Sequence, residues 1–312
     1  MKNILITAIG SFSAEVVVEA LKSLNNRVIG CDIYPKGWHY LVRKLDSFYQ
    51  VPLAIKEKEY IDKIIEICKM EKIDLIFPLT DIEIDVYNSN REIFKNIGVK
   101  VCIQNKEALE IARDKFELFK KFLNSEIKVI PTYLYKEIGN LKNFPYIAKP
   151  KNGRSSEGLL KIYQEKEFQQ IENPNNYIIQ NYLEGSIIVV DYIRNSKTGQ
   201  DFSVIRKELI RTKNGAGITV EIFENEKISK ISSHIGKELN INGCICMEFI
   251  ENNGEYYIMD INPRFSAGTA FTQKAGYNIV KNHLNCFLNK KIDDPIRIKK
   301  NIMTKRYIEE II

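Results

Sequence analysis

Near the C-terminal third of the chain, the stretch "YYIMDINPRFSAG" (Tyr256 to Gly268) sets a carboxylate, an amide and a guanidinium at close spacing. Ile258, Asp260 and Asn262 alternate, so on a strand all three point to one face, with Asp260 and Asn262 about 7 Å apart along the chain. Arg264 follows two residues later. Upstream, "GCICMEFI" supplies a second acid, Glu248, and the intervening Glu251-Asn252-Asn253-Gly254 is a hairpin signal. Register decides whether the acids meet. A two-residue Asn253-Gly254 turn would pair Glu248 with Met259 and put the acids on opposite faces. A three-residue loop centred on Gly254 pairs Glu248 with Asp260 and brings Glu248, Asp260 and Asn262 together. Two adjacent carboxylates repel unless protonated or bound to cations. Oxygen ligands of this kind suit Mg²⁺, which takes a few protein oxygens and completes its shell with water and nucleotide phosphate. Arg264 would then neutralise charge developing in phosphoryl transfer. The alternative is an exposed strand face whose acids meet solvent; the apolar company on both strands counts against it.

A second candidate lies in the middle of the chain. "YIAK" is a strand ending at Lys149, and "GLLKIY" resumes one. Between them, Pro150 to Gly158 holds two glycines and two serines, with Lys149, Lys151 and Arg154 around them. Such a loop can turn backbone N–H groups toward an anion. It lacks the GK[ST] of a P-loop, and a strand follows it, so it reads as a flap over phosphates or as a plain hairpin with a solvated basic turn. "NYIIQNYLEGSIIVVDYI" is strand, crossing segment, strand; backbone groups from Gln180 to Leu183 would read a purine edge, or the segment is simple β-core. "VIRKELIRTKNGAGITVEI" carries Arg206, Lys207, Arg211 and Lys213 before a glycine-rich turn, either a pocket wall or a solvated hairpin.

These groups need a scaffold, and the first hundred residues supply part of one. "NILITAIG", "SFSAEVVVEALKSL" and "RVIGCDIY" read as strand, helix and strand. "YIDKIIEICKMEK", "IDLIFPL", "DIEIDVYNSNREIFKNIG" and "VKVCI" continue the alternation, which argues an open parallel α/β domain over about residues 1–105. The turn after the first strand, Ala8-Ile9-Gly10-Ser11-Phe12-Ser13, has one glycine and not GxGxxG, so dinucleotide binding is disfavoured although Asp32 sits where a ribose-binding acid would. "NKEALEIARDKFELFKKFLN" reads as one helix with Lys115 in its middle.

Composition sets the outer limits. The chain has 312 residues, 44% hydrophobic and 28% charged, with net charge +6. That is an ordinary globular composition, long enough for two or three packed units. No basic block points to nucleic acid, and no run approaches a membrane span. The N-terminus lacks a secretory pattern. Six scattered cysteines (Cys31, Cys68, Cys102, Cys244, Cys246, Cys286) without a CxxC pair read as reduced core residues, so a cytoplasmic location is expected. Three histidines (His39, His234, His283) form no triad pattern.

In this order the segments resemble the ATP-grasp superfamily, most of all short relatives of the carbamoyl-phosphate synthase large subunit and the carboxylate–amine ligases. The resemblance covers nearly the whole chain. It implies an α/β (α+β overall) architecture: a Rossmann-like pre-ATP-grasp domain at 1–110, an N-terminal ATP-grasp lobe with the glycine-rich flap at 111–183, and a C-terminal lobe with the metal and substrate site at 184–312. "ARDKFELFKKF" is similar to the helix bearing the first nucleotide lysine, Lys115. "YIAKP" is similar to the strand bearing the second, Lys149, which in the family contacts the α-phosphate and purine. "NGRSSEG" resembles the flap, with Lys151, Gly153, Ser155, Ser156 and Gly158 as phosphate contacts. "IIQNYLEG" resembles the adenine hinge, with Gln180, Asn181 and Leu183 at the base and Glu184 near the ribose. "MEFI" and "DINPR" resemble the metal strands, which implies Glu248, Asp260 and Asn262 as Mg²⁺ ligands, Arg264 as the phosphate-side arginine and Arg211 as an acyl-phosphate contact. Ser266 to Thr269 would line the acceptor side.

Two departures stand out: Asp260 replaces the family's usual glutamate, and Ile187 occupies the position of the usual ribose-binding acid. The implied cofactors are ATP and Mg²⁺, two ions, with Mn²⁺ as a substitute. The implied partners are small-molecule carboxylate and amine substrates, neither nucleic acid nor membrane, with a homodimer as an allowed assembly. The implied reaction is ADP-forming activation of a carboxylate as an acyl phosphate, followed by amide formation. Carbamoyl-phosphate-like or kinase-like transfer, a nucleotide-binding protein without turnover, and a sugar- or dinucleotide-binding Rossmann protein stay open as rivals.

Overall fold

The computed structural model describes residues 1–139, 142–153 and 157–309. The chain opens with β1 (Asn3–Ile6), α1 (Ala14–Ser23), β2 (Arg27–Asp32), β3 (Ser47–Gln50), α2 (Glu57–Glu71), β4 (Leu75–Phe77), α3 (Asp81–Ser89), α4 (Arg91–Asn96) and β5 (Lys100–Val101). The five strands form a parallel sheet in the order β3-β2-β1-β4-β5. Ile4, Leu5 and Ile6 are fully buried, as expected of a parallel strand covered on both faces. The expected strand–helix alternation is present, with two differences. β3 follows a pair of short 3₁₀ turns, and its half-buried residues carry little apolar signal. The helix expected over "DIEIDVYNSNREIFKNIG" divides at Asn90, which leaves helical geometry.

Next come α5 (Lys106–Arg113), capped by the Asn105 side chain accepting from the Ala108 N–H at 2.9 Å, and α6 (Lys115–Phe122). The single helix expected here breaks at Asp114. That residue is extended, at φ −125°, and its carboxylate accepts from the Phe116 and Glu117 N–H groups at 2.8 and 3.2 Å. An Asp at N-cap is a strong helix start, and it puts Lys115 at the first turn of α6 and not in mid-helix. β6 (Thr132–Leu134), β7 (Tyr146–Pro150), β8 (Leu160–Ile162), α7 (Glu165–Gln169) and β9 (Tyr177–Asn181) follow, and the four strands form a sheet ordered β6-β9-β7-β8.

The rest of the chain is β10 (Ser186–Arg194), β11 (Asp201–Arg211), β12 (Gly217–Phe223), α8 (Glu226–Glu238), β13 (Gly243–Asn252), β14 (Glu255–Asn262), α9 (Thr269–Lys274), α10 (Ile279–Phe287) and β15 (Asn301–Thr304). Its strands make an antiparallel six-stranded sheet, β14-β13-β10-β11-β12-β15. One apolar cluster joins Ile4, Val17 and Leu21 of the first unit to Val204, Phe265 and Leu284 of the last, so the parallel and antiparallel sheets share a core. A second cluster seats α5 and α6 under the antiparallel sheet through Ala112 and Phe122 against Ile188 and Val190. All six cysteines are free and buried. Among the described residues no helix is long and apolar enough to cross a membrane.

Candidate active site

The β13–β14 hairpin combines elements of both registers considered above. Asn252 pairs with Glu255, and Asn253 and Gly254 both have positive φ, 51° and 76°, so the turn has two residues. Glu248 nevertheless pairs with Asp260. The reason is a bulge: Phe249 pairs with Ile258, Glu248 with Asp260, and Met259 is left over. A bulge inserts one residue into one strand and re-aims those beyond it. Here it returns both acids to one face, with Asn262 donating from Nδ2 to Glu248 Oε1 at 3.3 Å.

Cations close around this cluster. Arg211 donates from Nη2 to Glu248 Oε2 at 3.0 Å and from Nε to the Gly215 carbonyl at 2.9 Å. Lys115 Nζ lies 3.4 Å from Asp260 Oδ2 and donates to the Gly153 carbonyl at 2.8 Å. Lys115 therefore ties α6 to the β7–β8 flap and to the hairpin at once. Lys149, on β7, is buried, and that burial pushes its ammonium down to about 8; Asp260 and Glu248 oppose the shift and Lys115 adds to it.

Arg264 arrives already paired. Its Nε and Nη2 donate to the two oxygens of Asp81, at 3.1 and 3.0 Å, Nη2 also reaches Asn262 Oδ1 at 3.2 Å, and Nη1 reaches the Phe265 carbonyl at 3.1 Å. Of five guanidinium N–H groups, one on Nη1 is left for a substrate. Asp81 is 3% exposed and heads α3 in the first unit. Nothing local in the sequence marks it, because its partner lies 183 residues away. Burial alone would lower the Arg264 pKa; the charge and hydrogen bonds of Asp81, together with Glu248, raise it instead.

Arg206, which the sequence left between pocket wall and solvated hairpin, is 2% exposed. It sits 2.8 Å from Asp191, and donates to Glu208 at 3.2 Å and to Ser266 Oγ at 3.0 Å. Gly268 lies flat against it, since a Cβ there would come 2.7 Å from the guanidinium. Arg206 and Glu208 share a strand face by their spacing, which is the sequence signal for this pair.

A cavity of about 900 Å³ gathers Lys115, Lys149, Gly153, Arg206, Glu208, Arg211, Glu248, Asp260, Asn262, Arg264 and the segment from Phe265 to Gly268. Ile187 also lines it. The hinge residues do not: Gln180, Asn181, Leu183 and Glu184 are absent from its walls. Gln180 is 6% exposed, on the inner strand β9, and donates to Thr132 Oγ1 at 2.7 Å. Asn181 and Glu184 are exposed and Leu183 half-buried, and the Glu184 carbonyl accepts from Asn252 at 2.7 Å. Lys151 and Gly158 are likewise outside the walls; the Lys151 carbonyl accepts from the Lys115 N–H at 3.1 Å, and Gly158 takes φ +70° at the flap's return. Arg154, Ser155 and Ser156 lie outside the described residues. In the first unit, Asp32 is occupied by the Gly10 and Tyr34 N–H groups at 2.9 and 3.1 Å, which engages the acid that a dinucleotide ribose would need.

The family model for "ATP-grasp domain" matches residues 112–268, half of the chain. The chain belongs to the ATP-grasp family. Residues 4–102 match "PylC-like, N-terminal domain". The chain is 23% identical over 278 residues to the carbamoyl phosphate synthase large chain of Thermoplasma acidophilum, covering 77% of this chain and 25% of that one. It thus spans about a quarter of that relative's length. It is 23% identical over 220 residues to the D-alanine–D-alanine ligase of Petrotoga mobilis, covering 60% of this chain and 73% of the relative. The ATP-grasp fold recurs in the biotin carboxylase domain of Hydrogenobacter thermophilus 2-oxoglutarate carboxylase, solved with MgADP and bicarbonate. That match has a TM-score of 0.80 at 17% identity, over 96% of this chain and 73% of that one.

The cluster fits Mg²⁺ by donor chemistry. Glu248 and Asp260 present carboxylate oxygens, while Asn262 donates from Nδ2 to Glu248 and accepts from Arg264 at Oδ1, and would have to free that oxygen to join them; among the described residues no group of three or more His, Cys, Asp or Glu gathers as a self-sufficient cage. Mg²⁺ in nucleotide sites typically takes one or two carboxylates and leaves other positions to phosphate and water.

Proposed function

We propose that the chain is an ADP-forming ligase that activates a carboxylate as an acyl phosphate and passes the acyl group to an amine. The observation that carries this reading is the convergence of Glu248, Asp260 and Asn262 with Lys115 and Arg211, at contacts of 3.0 to 3.4 Å, in one cavity with Lys149. Residues 1–110 are the pre-ATP-grasp domain, 111–183 the lobe carrying the flap, and 184–312 the lobe carrying the acids.

Glu248, Asp260 and Asn262 would hold Mg²⁺, two ions replaceable by Mn²⁺, which when bound screens phosphate charge. Lys115 and Lys149 hold the nucleotide phosphates, with Gly153 on the cavity wall beside them; Lys151 and Gly158 stay outside the walls, and the Lys151 N–H is given to the Asn176 carbonyl at 2.8 Å. Gln180, Asn181, Leu183 and Glu184, expected at the base and ribose edge, lie outside the cavity walls, and the Gln180 amide is engaged by Thr132 at 2.7 Å. Arg211 releases Glu248 and turns to the acyl phosphate. Arg264, fixed by Asp81, offers its remaining Nη1 N–H and orients the incoming carboxylate. An oxygen of that carboxylate attacks the terminal phosphorus, and the bond to the β-phosphate oxygen breaks to give ADP. The amine nitrogen then attacks the acyl carbon, phosphate leaves, and the nitrogen gives up one proton. No protein nucleophile is needed; the rate comes from alignment and preorganised charge. The protein is expected in the cytoplasm, as a monomer or homodimer.

Phosphoryl transfer of the carbamoyl-phosphate type shares the first step, and the similarity to carbamoyl phosphate synthase large chains supports it as the second reading. Glu248→Gln and Asp260→Asn test the site common to both. Each should lower Mg²⁺-dependent ADP formation by about 10²–10³-fold, roughly 3–4 kcal/mol of transition-state stabilisation, with the fold intact. Near-wild-type turnover in both variants would remove these acids from the site.

A further inference from the structure

The cavity extends beyond the nucleotide end. It continues along the carboxyl edge of the parallel sheet, past the ends of β1, β2, β3 and β4. The two halves differ in chemistry. The ATP-grasp half carries Lys115, Lys149, Arg211 and Arg264, whereas no Lys or Arg lines the half made by residues 8–83. That second half does hold acids, but they are engaged: Asp81 by Arg264, Asp32 by the Gly10 and Tyr34 N–H groups, and Glu83 by Thr80 Oγ1 at 2.7 Å and Tyr60 at 3.0 Å. Ser11, His39 and Thr80 add polar atoms to its walls, with His39 Nε2 3.4 Å from Asp32, but the most exposed side chains there are apolar. Phe12, Ile33 and Tyr34 are 61%, 36% and 50% exposed, Leu53 is 45% exposed, and Val51 and Ala54 back them.

Strand order turns this into a ruler. From the end of β4, where Asp81 holds Arg264, the sheet runs through β1 and β2 to β3, where Val51 and Leu53 follow. Strands lie about 4.8 Å apart, so three spacings put the apolar end roughly 14 Å from the arginine end. We infer that this arm takes the apolar tail of the substrate acid, so that the activated carboxylate belongs to an elongated amphipathic acid of about dipeptide length and not to bicarbonate or a short acid. The inference rests on the ligase reading above for the role of the carboxylate head, and on the arm's own walls for the tail. Charge favours one orientation: the cations that line the cavity lie in the ATP-grasp half, and Lys305, which stacks 5.1 Å over the Phe12 ring, already donates to the Ala267 carbonyl at 2.9 Å. Burial of a phenyl or isobutyl group on this wall would tighten binding roughly 10–100-fold, enough to dominate recognition of a small acid.

Trp38 makes the arm directly observable. It is the chain's single tryptophan and stacks on Tyr34 with ring centroids 5.5 Å apart. Its emission should report on occupancy without turnover. The probes are glycyl-L-phenylalanine, 3-phenylpropionate, acetate and bicarbonate, each titrated in the presence of MgADP. The first two should change Trp38 emission saturably and acetate and bicarbonate should not. Leu53→Glu, on an exposed rim, should weaken glycyl-L-phenylalanine at least tenfold while MgADP affinity by calorimetry stays unchanged. A saturable response to acetate equal to that of the long acids, no response to any probe, or an unchanged affinity in Leu53→Glu would overturn the inference. Saturable binding of the long acids without ADP release leaves the arm standing and removes the ligase reading. Hydroxamate formation from acetate as fast as from glycyl-L-phenylalanine does the reverse.

Discussion

Lys149 gives the nucleotide end a pH dependence that can be worked out from its surroundings. Its burial holds the ammonium near 8, against an ordinary 10.5. At pH 7 the side chain is about 90% charged and at pH 9 about 10%. A bound phosphate supplies the counter-charge that burial removed and should return the pKa toward 10.5. Binding is then linked to proton uptake. Between pH 7 and pH 9 the affinity for MgADP should fall about tenfold, roughly 1.4 kcal/mol, and at pH 9 about 0.9 proton should be taken up per nucleotide bound. Calorimetry of MgADP binding in buffers of different ionisation enthalpy measures both quantities. Lys149→Arg is the control, since arginine stays charged throughout and should flatten the profile. An affinity independent of pH in the wild type, or the same profile in Lys149→Arg, would refute the placement of this ammonium against phosphate.

Two further outcomes concern the scaffold. Asp81→Asn breaks the bidentate contact to Arg264; because the Arg264 side chain keeps 20% exposure, the expected loss is roughly 2 kcal/mol, below the 3–5 of a fully buried pair, read from urea midpoints, and a loss under about 0.5 would mean that the contact is incidental. His283 is packed among the rings of Phe77, Phe265 and Phe287, accepts the Cys244 N–H at 2.9 Å, and is pushed by burial down to about 3. The unfolded chain protonates this histidine below about 6.5 and the folded one does not until about 3, so stability is lost as pH falls through that window. The loss should be roughly 2–3 kcal/mol at pH 4.5, and should vanish from the pH 7 to pH 4.5 difference in His283→Gln.

The alternation of Asp260 and Asn262, and the βαβ order of the first hundred residues, were readable because both depend on local periodicity. Two local features misled. A bulge at Met259 leaves no mark in composition, so turn length and register looked like alternatives when both the short turn and the acid pairing occur. Asp114 reads as one acid among many in a helical run, yet its capping bonds split the helix and aim Lys115. What periodicity cannot reach is contact between distant segments. Asp81 with Arg264, Arg206 with Ser266, and the apolar arm beside Tyr34 all depend on how the two sheets pack. The hinge is a separate case: its motif is plain in "IIQNYLEG", but Gln180 spends its side chain on Thr132.

The central claim is the chemical course, and product analysis tests it most directly. With Mg-ATP, hydroxylamine and glycyl-L-phenylalanine, ³¹P spectra should show ADP and phosphate accumulating in step with a hydroxamate, with Glu248→Gln silent. AMP and pyrophosphate as the stoichiometric products would contradict the account and require an adenylating site.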